Sequence, residues 1–462
     1  MIPSCFYVSR VHFFGRNFWN VITRLLHPPF SSSLLVVTLT LAPFVALQSN
    51  ERDASADTLV AKVYVGYFPS SVAVNPVTNT VFVASDRGID VIDGATNKLV
   101  KTIQVQTEPF GSGISVNPVT NKIYASSSDG AVYTIDGSTF TVTGNMTFIP
   151  WYGVGNIAIN SITNMLYVGS GTHSVFVVDG SNNRLVKEIY IINAYVSGNL
   201  AVNPMTNMIY QTGTCNGCIN GTGFVSVIDG KSNTMIKQID LGHGAVPQYI
   251  AINSITNKIY VRDLYSTGIW IIDGSTNTVT DAISAGSSSE SSVESPAGIA
   301  VNPTTNKIYA PNWNISLDPG QWFLGSSIKV IDGSNNKIVQ TLPVGKAVMD
   351  VAVNPVTNRI YASDSYNHRV VVIDGNGPLE NAKILIDTIN GMHLKKGITK
   401  SLDSRIDGAI QSLNSGQYDD AKKYLKAFID KVEVFSGKKL TTFQATNLIK
   451  MANDIVNSLP AK

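Results

Sequence analysis

Residues Val72–Ser85 read VAVNPVTNTVFVAS, two short apolar runs joined by Asn-Pro-Val-Thr-Asn. Proline presets the turn dihedral and the closing Asn tolerates a left-handed conformation, so the five central residues predict a tight turn between two strands. The stretch returns six times. ISVNPVTN ends at Asn121, IAINSITN at Asn164, LAVNPMTN at Asn207, IAINSITN at Asn257, IAVNPTTN at Asn306 and VAVNPVTN at Asn358. Each copy is followed by a β-branched or aromatic run, then by a second strand ending in Asp-Gly at Asp93, Asp136, Asp179, Asp229, Asp273, Asp332 or Asp374. Asp-Gly is a hairpin signal, so every copy holds four strands, here named a to d.

The closing asparagines are spaced 42, 43, 43, 50, 49 and 52 residues apart. That is the period of a four-stranded propeller blade, and seven copies predict a seven-bladed β-propeller. The seventh Asp-Gly has no outer strand after it, whereas TLVAKVYVG from Thr58 precedes the first copy and has the fourth-strand pattern. The N-terminal strand is therefore expected to complete the last blade and remove an exposed edge. The repeated Asp and Asn residues invite a metal or catalytic reading. Seven near-identical copies favour turn geometry instead.

These residues resemble the YVTN-type β-propeller repeats of archaeal and bacterial surface proteins, over residues 58–375. The resemblance implies an extracytoplasmic propeller that mediates contacts, and it supplies no catalytic set.

The chain has 462 residues, 37 Gly, 19 Pro, a formal net charge of +2 and only 14% charged residues. An average soluble domain has about 25%. This composition excludes a coiled coil or a long helical array, and near-zero net charge removes bulk attraction to nucleic acid. The charge is unevenly placed. Residues 376–462 hold 13 Lys plus Arg and 9 Asp plus Glu, an ordinary density, and the rest of the chain is charge-poor.

This last segment also changes period and predicts a small all-α bundle of about four helices. Its stripes are Ile398, Leu402, Ile406, Ala409 and Leu413; Ala421, Leu425, Phe428, Val432 and Phe435; and Ala445, Leu448, Ala452, Ile455 and Leu459. A further helix is expected near 380–393. Gly437 ends the third helix, and Thr441 with Gln444 predicts a capping box on the fourth. The stretch LKAFIDKVEVFSGKKLTTFQATNLIKMANDIV resembles the FIMAH-type helical module of secreted archaeal and bacterial proteins.

Residues 1–57 read as an export segment with an uncharged apolar core at about 30–48. Arg10, Arg16 and Arg24 precede the core, and Glu51, Arg52, Asp53 and Asp57 follow it. Positive before and acidic after sends the remainder outward. The Leu34–Leu47 stretch is short and contains Pro43, which favours a cleaved signal peptide over an anchor. The 29 residues ahead of the core are long for such a segment, and membrane contact is expected only if it stays uncleaved. Cys215 and Cys218 form the one CxxC pair, and an oxidising compartment favours a small-loop disulfide there over free thiols or a metal site.

The a–b and c–d turns share one face of such a ring, and the b–c and d–a loops share the other. All variation in length falls on the second face, at 211–223, 284–297 and 311–325. Insertions confined to one face mark a binding surface. Trp151, Tyr152, Trp313 and Trp322 are expected there beside Arg87, His173, Arg262, His368 and Arg369. Such aromatics suit stacking on a sugar or gripping a protein, or else pack their own loops. Sequons at Asn145, Asn220 and Asn314 mark N-glycosylation candidates.

The innermost strands are expected to line the channel with Ala73, Ser115, Ala158, Ala201, Ala251, Ala300 and Ala352, with Asp350 as the only ionisable group. That lining offers no convergent His or carboxylates, so no catalytic residue, metal or cofactor is assigned. The expectation is an exported, non-catalytic propeller whose partner is a cell-envelope protein or glycan, not nucleic acid. A propeller-type hydrolase, lactonase or lyase, and a structural surface-layer component, are the alternatives.

Overall fold

The computed structural model describes residues 56–105, 113–127, 130–147, 154–170, 173–191, 194–195, 199–215, 221–264, 268–285, 292–316 and 325–459, with backbone only at 154, 194–195, 292–296 and 314–316. Seven antiparallel sheets form the blades, and strands follow chain order from the axis outward. Blade 1 comprises Val72–Asn75, Thr80–Ser85, Gly88–Asp93 and Lys98–Ile103. In blades 4 and 6 the inner strand is split in two, and both pieces pair with the same second strand.

Blade 7 closes the ring. Its chain-terminal strands Val348–Asn354, Arg359–Asp364 and Arg369–Asp374 are joined by Thr58–Tyr64 from the start of the described chain. Thr58 lies opposite Asp374 and Tyr64 opposite Arg369. The N-terminal strand thus completes the last blade, as the pattern of TLVAKVYVG requires. Asp57, just ahead of it, is buried, bonds Lys307 of blade 6 at 2.5 Å, and exchanges backbone hydrogen bonds with the Gln340 amide.

Seven apolar clusters fill the seams between consecutive blades. Phe82, Ile89 and Val91 of blade 1, for example, meet Ile114, Ile123 and Ile135 of blade 2. Side chains alternate across a sheet, so each blade presents one set to its predecessor and the other to its successor. One ring of each second strand is wholly buried: Phe82, Tyr124, Tyr167, Tyr210, Tyr260, Tyr309 and Tyr361.

The small residues of the innermost strands also serve the seams. Buried Ala158 and partly buried Ala73, Ala201, Ala251, Ala300 and Ala352 pack against these seams. Neighbouring sheets converge towards the axis, and only a small side chain fits between them there.

Each a–b turn is tied to the next blade by one asparagine pair. The first Asn of the motif is fully buried, and its amide donates to the closing Asn of the following blade. Asn75 reaches Asn121 at 2.7 Å, Asn117 reaches Asn164 at 2.8 Å, Asn160 reaches Asn207 at 2.6 Å and Asn203 reaches Asn257 at 2.7 Å. Asn253 reaches Asn306 at 2.7 Å, Asn302 reaches Asn358 at 2.6 Å, and Asn354 closes the circle on Asn79 at 2.8 Å. The carbonyl of the same buried side chain accepts the N–H two residues on, as from Val77 to Asn75 at 3.0 Å. Only Asn supplies both the donor and the acceptor at this length.

The closing Asn is left-handed in all seven copies, with φ of 52–57°. None of the seven Asp-Gly glycines has positive φ, so the glycine is required for another reason. A Cβ built on Gly94 would lie 2.5 Å from Asn79 Oδ1, and the other six glycines meet their own closing Asn in the same way. The left-handed residue of the c–d turn comes three positions after the glycine, as at Asn97. The aspartates serve the turn itself: Asp93 Oδ1 accepts from Ala95 N at 2.7 Å and Thr96 N at 3.0 Å.

The C-terminal helices are α1 (Gly377–Gly391), α2 (Lys396–Asn414), α3 (Tyr418–Phe435) and α4 (Thr442–Ser458). They share one apolar core, which includes Leu402, Ile406, Ala409, Leu425, Phe428, Val432, Leu448 and Ile455 from the stripes read above. The Thr441–Gln444 capping box is formed. The first helix begins three residues earlier than the apolar pattern suggested, because Gly377 and Pro378 start it directly from the last Asp-Gly turn.

The bundle therefore attaches to the turn face. Asn358 donates to Asn376 at 2.6 Å, which extends the asparagine ring to the foot of α1. Arg359 lies 3.4 Å from Asp374 and 3.2 Å from Asp454 of α4. A cleft of about 440 Å³ remains between the turns and the bundle.

Candidate functional site

The blade 7–blade 1 seam on the loop face brings together Arg87 and His368 from the expected set, with Arg369 half-buried behind them. The loop Val65–Ser71 enters blade 1 and carries Tyr67 and Phe68, 49% and 44% exposed. Its backbone is held in place. Gly66 N donates to the buried Asp90 at 2.7 Å, Tyr67 N donates to Asp86 Oδ1 at 2.6 Å, and Asp86 N returns a bond to Tyr67 O at 3.0 Å.

His368 sits in the b–c turn of blade 7 with a left-handed φ of 53°. Its ring meets Tyr67 edge-on at 4.6 Å and Phe68 at 5.5 Å. Phe68 N approaches His368 Nδ1 at 3.4 Å, an acceptor role that leaves the neutral ring's proton on Nε2. The Arg87 guanidinium lies over Tyr67 at 5.6 Å, and the Lys346 ammonium over Tyr366 at 4.7 Å. Tyr366 is 51% exposed.

Arg369 lies beneath this layer and is not part of it. It is paired with the fully buried Asp364 at 2.9 Å. The other Asp364 partners are Asn367 Nδ2 at 2.7 Å, Lys346 N at 3.2 Å and Ala347 N at 3.3 Å. This carboxylate is the pin on which the loop ends of blade 7 are folded.

Among the described residues, the other expected ones lie elsewhere. Arg262 is not on a ligand face, because it is fully buried at the loop end of blade 5. It donates to Ala297 O at 2.9 Å and Gly298 O at 3.2 Å, and also to Pro311 O and Asn312 Oδ1. It is a strut between blades 5 and 6. Trp313 is half-buried and donates its indole N–H to Val348 O of blade 7. His173 belongs to blade 3, beside Tyr190 at 6.0 Å. Trp151, Tyr152, Trp322, Cys218 and Asn220 lie outside the described residues, as does the Asn314 side chain. Cys215 is disulfide-bonded to a cysteine outside the described residues. Asn145 is exposed on the outer strand of blade 2.

Sequence reasoning missed Tyr67, Phe68, Lys346 and Tyr366. They sit on loops of unremarkable length, and insertion length was the criterion. The adjacent aromatics of GYFPSS were the available signal.

The channel mouth on this face is polar. Asp350 Oδ2 accepts from Val72 N at 3.1 Å and Ser71 Oγ at 3.4 Å, yet burial pushes its carboxyl up to about 6. Burial likewise pushes the Tyr249 hydroxyl up to about 12, with the Asp350 charge adding to it. Among the described residues no three His, Cys, Asp or Glu side chains are grouped to hold a metal ion, and no helix is long and apolar enough to cross a membrane.

The turn face is chemically plainer. Its tips are Val77, Val119, Ile162, Met205, Ile255 and Val356, 65–74% exposed, with Thr304 at the seventh position beside the bundle. No protein-family model matches this chain, and no curated protein matches it.

Proposed function

We propose that this is an exported propeller of the YVTN-repeat kind that binds a cell-envelope protein or glycan through its loop face, without catalysis. A FIMAH-like helical module sits on the opposite face. One observation carries the reading: exposed Tyr67, Phe68 and Arg87 gather around the half-buried His368 on a rigid seam, and the exposed Lys346 covers exposed Tyr366 on the same b–c turn of blade 7 as His368. Rings held by a packed scaffold bind with little loss of side-chain entropy. The turn face, by contrast, spends its polar groups on its own closure. The export segment and the paucity of charge support an extracytoplasmic setting.

The test is capture from an envelope extract of the producing cell by the immobilised full chain. Wild type is expected to retain a component that the Tyr67→Ala/Arg87→Ala variant loses. Equal capture by the variant, or no capture by wild type, overturns the proposal.

A further inference from the structure

We infer that the ligand of the blade 7–blade 1 cluster is an acidic saccharide. The inference rests on the binding-face reading above and narrows it to a chemical class. Each exposed cation is propped on an aromatic ring, Arg87 on Tyr67 and Lys346 on Tyr366. A cation over a ring face is attracted by the ring quadrupole but keeps its full charge, so it still attracts an anion.

The nearby carboxylates are engaged inward. Asp364 is fully buried and holds Arg369, Asn367 and two backbone amides. Asp90 is buried too, and accepts from Gly66 N, Ser85 Oγ and Thr102 Oγ1. Asp86 is the one exposed carboxylate of the group, and its Oδ1 is taken by Tyr67 N. Arg87 and Lys346 thus face solvent, while Arg369 is paired inward and, of these three carboxylates, only Asp86 is exposed.

The geometry also discriminates between acidic partners. An extended acidic peptide docks by pairing its main chain with an unpaired strand edge or by lying in a groove. This cluster sits on turns at strand ends rather than along a strand edge. Exposed tyrosine and phenylalanine rings beside fixed cations suit a sugar ring, whose C–H face stacks while its carboxylate meets the arginine or lysine.

The experiment measures binding of the purified full chain to polygalacturonate, to fully methyl-esterified polygalacturonate and to poly-glutamate of matched length. Polygalacturonate is expected to bind, with affinity falling as salt rises. The methyl ester, with the same sugar and no charge, is expected to bind at least tenfold more weakly, and so is poly-glutamate. Arg87→Ala/Lys346→Ala is expected to lose at least tenfold for polygalacturonate, and Tyr67→Ala to weaken binding while Tyr67→Phe retains it. These side chains are exposed, so an unchanged melting temperature serves as the folding control. Equal binding of the methyl ester, binding of poly-glutamate as tight as that of polygalacturonate, or indifference of the double variant overturns the inference. If polygalacturonate fails while envelope capture is still lost in Tyr67→Ala/Arg87→Ala, the saccharide assignment falls and the binding face stands. If both fail, both fall.

Discussion

The two ends of the same blades are built on opposite plans. At the turn end one asparagine pair is used seven times, between every blade and the next. At the loop end, the fifth residue after each closing Asn is Ala84, Ser126, Gly169, Thr212, Arg262, Pro311 or Ser363, a different side chain in almost every blade. Three of these reach across a seam by different means. Thr212 bonds Gln248 O at 3.3 Å, Arg262 bonds Ala297 O at 2.9 Å, and Ser363 bonds Ser70 O at 3.1 Å. A repeat that closes at one end through an identical bond leaves the other end free to diversify, and binding surfaces follow diversity.

The largest test of this contrast is Arg262→Ala. A unique strut has no copies to share its load, and its loss removes the guanidinium's hydrogen bonds to three backbone carbonyls and to the Asn312 side chain. We expect a loss of about 3–5 kcal/mol in unfolding free energy, read as a lower urea midpoint at unchanged slope. Arg262→Lys is expected to recover little of it, because a single ammonium cannot reproduce the fork. A loss below about 1 kcal/mol, the value of an exposed pair, would show that the strut is dispensable.

Breaking one link of the turn ring should cost less and, above all, cost the same everywhere. Asn253→Ala removes the bond to Asn306 and orphans the amides of Ile255 and Thr256. About 2 kcal/mol is expected. Asn75→Ala and Asn160→Ala should agree with it within about 0.5 kcal/mol, since the sites are distant and alike. A wide spread among the three would refute the equivalence of the seven links.

The same contrast sets what was legible in the sequence. The seven copies, the closing strand Thr58–Tyr64 and the helical stripes are periodic, and periodicity survives translation into structure because packing obeys it. The motif asparagines were read as turn formers, which the left-handed Asn79 and its six counterparts are. Their bond to the next blade was hidden, because a contact between residues 46 to 56 apart, or 275 apart where the ring closes, leaves no local trace. Loop-end residues repeat nothing. Arg262 looked like an exposed cation, since neither its burial nor its carbonyl partners can be read from VRDLYS. Tyr67 and His368 are 301 positions apart and meet only because the ring closes.

The c–d turn aspartates and Asp350 at the loop end differ too, and pH separates them. In the turns, hydrogen bonds hold Asp136, Asp179, Asp229, Asp273 and Asp332 below the usual carboxylate value. For Asp136 the backbone amides of Thr139 and Ser138 do this, and for the others a serine two or three residues on leads. Asp350 at the loop end is raised from 3.8 to about 6 by burial. A raised pKa means that the fold prefers the neutral carboxyl. Its stabilising contribution is complete below pH 3.8 and is lost as pH rises through about 6. The turn aspartates act oppositely and below that window, losing their contribution as pH falls under 3.8. The stability of Asp350→Asn relative to wild type should therefore rise between pH 4 and pH 6.5, by about 1 kcal/mol once solvent screening of this half-buried group is counted. A flat difference across that range would place the ionisation elsewhere.

The smallest effect lies at the seam where the second-strand ring and the left-handed residue of the next c–d turn are both apolar. In blades 3 and 4 the buried tyrosine hydroxyl meets the left-handed Asn of the next c–d turn, Tyr167 to Asn233 at 3.4 Å and Tyr210 to Asn277 at 2.9 Å. At the blade 1–blade 2 seam both partners are apolar. Phe82 stands for the tyrosine and Phe140, at φ 53°, for the asparagine, with ring centroids 6.2 Å apart at 64°. Lys101 covers the outer face of Phe140 at 5.9 Å. Phe82→Tyr alone buries a hydroxyl against a ring and should cost about 1 kcal/mol. Phe140→Asn alone loses the ring contact but eases a left-handed backbone that a bulky side chain resists. The double variant introduces the pairing found at the blade 3–blade 4 and blade 4–blade 5 seams, so the two changes should couple favourably by about 0.5–1 kcal/mol in a double-mutant cycle. Coupling near zero would mean that Phe82 and Phe140 are two separate accidents of packing. Favourable coupling would mean that the turn end has one grammar, written at this seam in apolar residues.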